Sequence, residues 1–192
     1  MHDPFAGTGR RLGKLCDALG LRFTGTEIEA EFIVDPRVAP GNAINPDTYP
    51  RGPFCVVTSP AYPNGMADHF AARDGSRRHT YRQALAAIRG HDRELSSSNM
   101  GRYSIRRGRR AETEHFAIAG IAMHRWPPDV IVNVSDFIAA GERYPLVDRW
   151  RRLLGRHGYT VTDVVEVPTP RQRHGAHAEL RVEAEAVITA HR

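Results

Sequence analysis

The chain has 192 residues, 41% of them hydrophobic, which is enough to bury the core of one ordinary domain without metal or disulfide staples. No apolar run reaches about 18 residues and the first residues form a turn, so neither a membrane span nor a secretory leader is read, and a cytoplasmic setting is expected. The formal charge is +5, but eleven arginines stand against three acids between Arg73 and Arg110, which puts +8 in that segment and −3 in the remainder.

DPFAGTGR opens the chain as a glycine-rich turn, and RRLGKLCDALG sets Leu12, Leu15, Cys16 and Leu19 at helical spacing with Gly20 as a stop. LRFTGTEIE reads as a strand. VAPGNAINP is a short strand or turn punctuated by Pro40 and Pro46, and PFCVVTSP is a compact apolar run stopped by Pro60, as in a buried parallel strand. Residues 63 to 110 lose this regularity. There Gly, Ser, Asn and Arg surround one helical stretch, TYRQALAAIRGHDREL, in what reads as an insertion at the edge of the core.

Alternation returns with a helix from Glu112 to His124, the apolar strand DVIVNVSDF and a helix from Leu146 to His157. Two β-like runs follow, YTVTDVVEV and LRVEAEAVITA, with no helix between them. This order predicts one α/β domain over residues 1–192: an open, mostly parallel sheet with helices on both faces and a final antiparallel pair. Cys16 and Cys55 are 39 positions apart without a C-x-x-C spacing and read as structural thiols. His174 and His177 lack a completing ligand pair, so no metal site is predicted.

A glycine turn leading from a strand into a helix lets ligand atoms approach the backbone, because Gly7 and Gly9 carry no side chain. Glu27 follows at the end of the next strand, where a carboxylate can accept hydrogen bonds from ribose hydroxyls. Turn plus acid describes a nucleoside cofactor site. Asn42, in the Gly41-Asn42-Ala43 segment beside Pro40, reads from the residues as a turn former. Asp136 reads as a helix N-cap ahead of a cleft residue.

DPFAGTGR, GTEIE and TSPAY, in that order, resemble the motifs of the amino-methyltransferases that modify exocyclic amines of DNA bases. YPNGMADH, VIVNVSDFI and RHGAHAELRVEAEAVI are similar to a phage and bacterial branch that includes restriction–modification enzymes. The resemblance implies a class I, Rossmann-like fold with a mostly parallel seven-stranded sheet and S-adenosyl-L-methionine as cofactor. It implies a cofactor site of Asp3, Pro4, Phe5, Gly7, Gly9, Glu27, Ile28, Asn42 and Ser59, and a catalytic tetrad Ser59-Pro60-Ala61-Tyr62. In that chemistry the Ser59 hydroxyl and Pro60 carbonyl accept the two amine hydrogens, and Tyr62 stacks on a base flipped out of the duplex. Ala61 replaces the family's second proline and loosens the turn that aims the Pro60 carbonyl.

Two expectations complete the reading. The arginine segment, with Arg77, Arg78, Arg106, Arg107, Arg109 and Arg110 beside Tyr81 and Tyr103, is the candidate DNA surface, and His69 is a weaker candidate for positioning substrate. Only Met1 and His2 precede the Asp-Pro-Phe turn, so the first strand is read as truncated: the true start lies upstream, an upstream segment or a partner chain completes the sheet, or the fold tolerates a stub. The expected activity is methyl transfer to cytosine N4 or adenine N6 of DNA. The alternatives are an RNA-base or protein-glutamine methyltransferase, or a non-catalytic cofactor- or DNA-binding subunit.

Overall fold

The computed structural model describes residues 1–63, 95–105, 108–139, 141–169 and 183–192. The predicted helix TYRQALAAIRGHDREL therefore falls almost wholly outside the described residues, as do His69, Arg77, Arg78, Tyr81, Arg106, Arg107, His174 and His177. The elements used below are β1 (His2–Asp3), α1 (Arg10–Ala18), β2 (Thr24–Glu27), β3 (Val38–Pro40), β4 (Val56–Thr58) and α2 (Arg109–Met123). They continue with β5 (Asp129–Val134), β6 (Phe137–Ala139), β7 (Glu142–Tyr144), α3 (Leu146–Arg156), β8 (Thr160–Pro168) and β9 (Ala184–His191).

Seven strands form one sheet in the order β3-β2-β1-β4-β5-β9-β8. The pairs from β3 through β5 are parallel, and β9 runs antiparallel to both of its neighbours. β1 is only two residues long, yet it pairs on both sides: His2 is in register with Thr24 of β2 and with Val56 of β4. Its edges are further bonded by the His2 N–H to the Cys55 carbonyl and by the Thr24 N–H to the Met1 carbonyl.

Register assigns the two faces. His2 and Asp3 are consecutive, so they point to opposite sides of the sheet. On the His2 side, Val56, Val130 and Ala190 follow in register and join the main core with α2 and α3. There Trp126 and Trp150 stack nearly parallel, at 6° and 6.5 Å between ring centroids. On the Asp3 side, Gly25 and Val38 follow in register, and Val38 packs with Phe23 and Cys16 of α1 in a smaller cluster. Of the apolar stripe predicted for α1, Cys16 is fully buried while Leu15 and Leu19 stay exposed.

Arg37 fastens α1 to the turn before β3, reaching Asp17 at 2.6 Å and Asp35 at 2.7 Å. Its guanidinium holds the Asp35 carboxyl down at about 2. Cys16 and Cys55 are both free thiols.

The sequence-predicted strands and helices within the described residues are all present. Among the described residues the hairpin β6–β7, pairing Phe137 with Tyr144 and Ala139 with Glu142, was not predicted, nor were the short 3-10 turns Ala30–Phe32, Pro46–Thr48 and Met100–Arg102. DVIVNVSDF reads as one strand in sequence; in the structure β5 ends at Val134 and the hairpin starts at Phe137.

Candidate active site

The DPFAGTGR turn leaves β1 at Asp3, whose Oδ1 accepts the Phe5 N–H at 3.0 Å and the Thr58 hydroxyl at 2.6 Å. Those two bonds shape the turn and tie it to the end of β4. Burial outweighs them and, with the Glu27 charge adding to it, pushes the Asp3 carboxyl up to about 6. Glu27 ends β2 and is buried; its Oε2 accepts the Gly7 N–H at 2.9 Å and its Oε1 the Glu29 N–H at 2.8 Å. The glycine turn and the acid of β2 are thus locked together directly.

The two glycines of the turn have different reasons to be glycine. Gly7, at φ +55°, has open space where a Cβ would project. Gly9, at φ +71°, would bring a Cβ to 2.5 Å from Val38 Cγ2 and 2.9 Å from Asp35 Cβ, so it lets α1 begin close against β3.

A crevice of about 200 Å³ opens at the carboxyl ends of the parallel strands. Of the sequence-predicted cofactor residues, Pro4, Phe5, Gly7, Glu27, Ile28, Asn42 and Ser59 line it, coming from the turns after β1, β2, β3 and β4. Asp3 and Gly9 stand behind the lining, in the supporting roles just described. Asn42 spends its side-chain oxygen on a turn, accepting the Ile44 N–H at 3.2 Å, while still lining the crevice. A crevice outside the carboxyl ends of a parallel sheet is where open α/β folds bind ligands. The strand order, with its single reversed strand, decides the architecture. This is a class I methyltransferase fold.

No protein-family model matches the sequence, and no curated protein matches it. Among solved structures, the chain is similar over its full length to 68% of a magnesium protoporphyrin IX methyltransferase from Synechocystis PCC 6803 with bound S-adenosylmethionine. That pair shares 12% identity at a TM-score of 0.48. A protein from the conversion of a disulfide bond into a thioacetal group during echinomycin biosynthesis is similar over 74% of its chain, at 14% identity and a TM-score of 0.47.

The tetrad follows β4 directly. Ser59 is exposed at the crevice and has no hydrogen-bond partner among the described residues, Pro60 is buried, and Ala61 lines the crevice. Tyr62 lies outside the lining. Its ring stacks on Phe137 of β6 at 5.9 Å and 22°, and Phe137 in turn leans on Tyr144 of β7 at 5.0 Å. The Tyr144 hydroxyl donates to Glu112 of α2 at 2.7 Å, and Arg149 of α3 reaches the same Glu112 oxygen at 3.2 Å. Burial and the Glu112 carboxylate both push the Tyr144 phenol upward. Asp136 fixes the base of this hairpin: its oxygens accept the Arg143 Nε–H and the Val147 N–H, each at 2.9 Å. Val147 is in the first turn of α3, so Asp136 does cap a helix, from ten residues upstream of its first residue rather than from the adjoining position.

One part of the crevice lining was missed in the sequence. Ser98, Asn99 and Met100 supply it from the chain entering α2, and Glu29, just past β2, holds them there. These residues belong to no local pattern; the only signal was a second acid two positions after Glu27. Of the predicted arginines, Arg109 and Arg110 begin α2 on the surface, and Arg110 pairs with Glu114 at 3.0 Å. Arg110 also lines a shallow groove with Arg102 and Tyr103.

Proposed function

We propose that the chain transfers a methyl group from S-adenosylmethionine to an exocyclic amino group of a DNA base, cytosine N4 or adenine N6. The observation that carries this reading is that the glycine turn, the acid ending β2 and the serine following β4 line one crevice. The residues fit the cofactor. Gly7 offers open space and backbone at close approach, Glu27 offers a carboxylate for sugar hydroxyls, and Ile28, Ala43 and Met100 offer apolar surface for a ring. When bound, S-adenosylmethionine supplies an electrophilic methyl group on a sulfonium centre.

The chain's own residues do the remaining work. A base amine is a weak nucleophile because its lone pair is delocalised into the ring. The Ser59 hydroxyl oxygen and the Pro60 carbonyl accept its two hydrogens and return density to the nitrogen. The Tyr62 ring, braced by Phe137, stacks on the extruded base. Holding that nitrogen beside the electrophile converts an encounter into a positioned displacement, in which the N–C bond would form as the S–C bond breaks, S-adenosylhomocysteine would leave and the nitrogen's surplus proton would pass to water. Arg109 and Arg110, with Arg77, Arg78, Arg106 and Arg107, hold backbone phosphates in a salt-dependent manner. The reading includes a cytoplasmic setting; among the described residues no helix is long and apolar enough to cross a membrane.

The test supplies methyl-labelled S-adenosylmethionine with duplex DNA, RNA and protein in parallel. Label recovered as N4-methylcytosine or N6-methyladenine, and lost in Tyr62→Ala while cofactor binding persists, supports the reading. Label in RNA or in protein glutamine reassigns the substrate. Cofactor binding with no transfer to any acceptor makes the chain a non-catalytic subunit, the outcome that Ala61 in the tetrad would explain.

A further inference from the structure

Glu29 is 1% exposed and ends the GTEIE motif, in which the sequence reading assigned a role to Glu27 and none to Glu29. Its Oε1 accepts the Ser96 N–H at 2.7 Å and the Asn99 Nδ2–H at 3.0 Å, and its Oε2 accepts the Ser96 hydroxyl at 3.1 Å. Asn99 Oδ1 then accepts the Gly101 N–H at 2.9 Å, which caps the short turn Met100–Arg102. The Met100 carbonyl accepts from His115 Nδ1 of α2 at 2.9 Å. In the other direction, the Glu29 N–H donates to Glu27, which also accepts from Gly7.

One run of hydrogen bonds therefore leads from the glycine turn, through two glutamates, to α2. Four of its members, Gly7, Glu27, Asn99 and Met100, line the crevice. A buried carboxylate is costly when its donors are withdrawn, so the three bonds from Ser96 and Asn99 favour segment 95–102 held against Glu29 over any released arrangement. A ligand that touches both the glycine turn and this segment binds the held arrangement more tightly, and it must stabilise that arrangement by as much as holding improves its affinity.

We propose that Glu29 is a positioning residue that latches segment 95–102 as part of the crevice lining, coupling closure of that part to occupancy by the nucleoside cofactor. This rests on the reading of the crevice as the S-adenosylmethionine site. The partners lie 67 to 70 residues from Glu29, so the sequence does not show which residues this second acid holds.

S-adenosylhomocysteine is the probe, titrated calorimetrically into the full chain, with hydrogen exchange followed in residues 95–102. In the wild type, saturating probe slows exchange there. In Glu29→Gln, exchange of the free protein in 95–102 rises about tenfold, the Kd rises about tenfold, and exchange in β8 and β9 is unchanged. Ser96→Ala removes only the 3.1 Å bond without touching the buried charge. It shifts both readouts the same way by about threefold and carries the test if Glu29→Gln does not fold. Wild-type affinity and wild-type exchange in the variants overturn the latch alone. A wild-type chain that does not bind the probe overturns the cofactor reading, and the coupling with it.

Discussion

Two parts of the crevice lining are built by different means. The glycine-turn part is backbone bonded to carboxylates at the strand ends: Asp3 to Phe5, Glu27 to Glu29 and, across the β1–β2 pair, Glu27 to Gly7. The other part is assembled from distant pieces. Glu29 holds Ser96 and Asn99, His115 holds Met100, and beyond them Tyr62 leans on Phe137 and Tyr144, which Glu112 and Arg149 anchor. The first is set by the pairing of β1 with β2 and β4 and the turns that leave those strands. The second exists only once α2, α3 and the β6–β7 hairpin have packed.

Acid separates the two sides most strongly. His115, on the assembled side, is held down to about 4 by burial, and so is His2 at the centre of the sheet. The unfolded chain takes up these protons near the ordinary value of 6.5 and the folded chain does not. Their contribution is therefore complete above 6.5 and is lost as pH falls from there toward 4, roughly 3 kcal/mol for each histidine. Asp3, on the turn side, is raised to about 6 and acts in the opposite sense: it favours the folded state at low pH, and that contribution disappears as pH rises through about 6. Denaturant unfolding between pH 4 and 8 is expected to show net loss of stability on acidification. The loss is steeper in Asp3→Asn, where the offset is gone; a flat profile in both would refute the assignment.

Smaller effects distinguish the two glycines. Gly9→Ala forces a Cβ against Val38 and Asp35 at positive φ and is expected to cost about 3 kcal/mol in denaturant unfolding. On the acceptor side, Phe137→Ala leaves Tyr62 without its stacked neighbour. It is expected to lower kcat/KM for the nucleic acid about tenfold, with cofactor affinity unchanged. Gly7→Ala meets no atom within 4 Å, so its cost to folding is only the backbone strain, about 1 kcal/mol. Its methyl group should show instead as weakened cofactor binding. Equal destabilisation by the two alanines would mean that both glycines serve packing.

This contrast also accounts for what could be read from the sequence. The turn, Glu27 and Ser59 sit at strand ends, where hydrophobic runs, glycine and proline mark the boundaries, so the element sequence and the turn-side residues were legible, while the spatial order of the strands was not. Glu29 looks like any surface acid next to Ala30 and Glu31 until Ser96 and Asn99 meet it. FIAAGERY carries a hairpin whose strands are three residues each, too short for alternation to show. Asp136 illustrates an intermediate case: its capping function was foreseen, but the pairing with Arg143 depends on that hairpin.

The most direct measurement is a crystal structure of the chain grown with S-adenosylhomocysteine. The nucleoside is expected across Gly7, its ribose hydroxyls on the Glu27 carboxylate and its sulfur directed toward Ser59. A ligand bound elsewhere, or a crevice that stays empty at saturating concentration, would contradict the account.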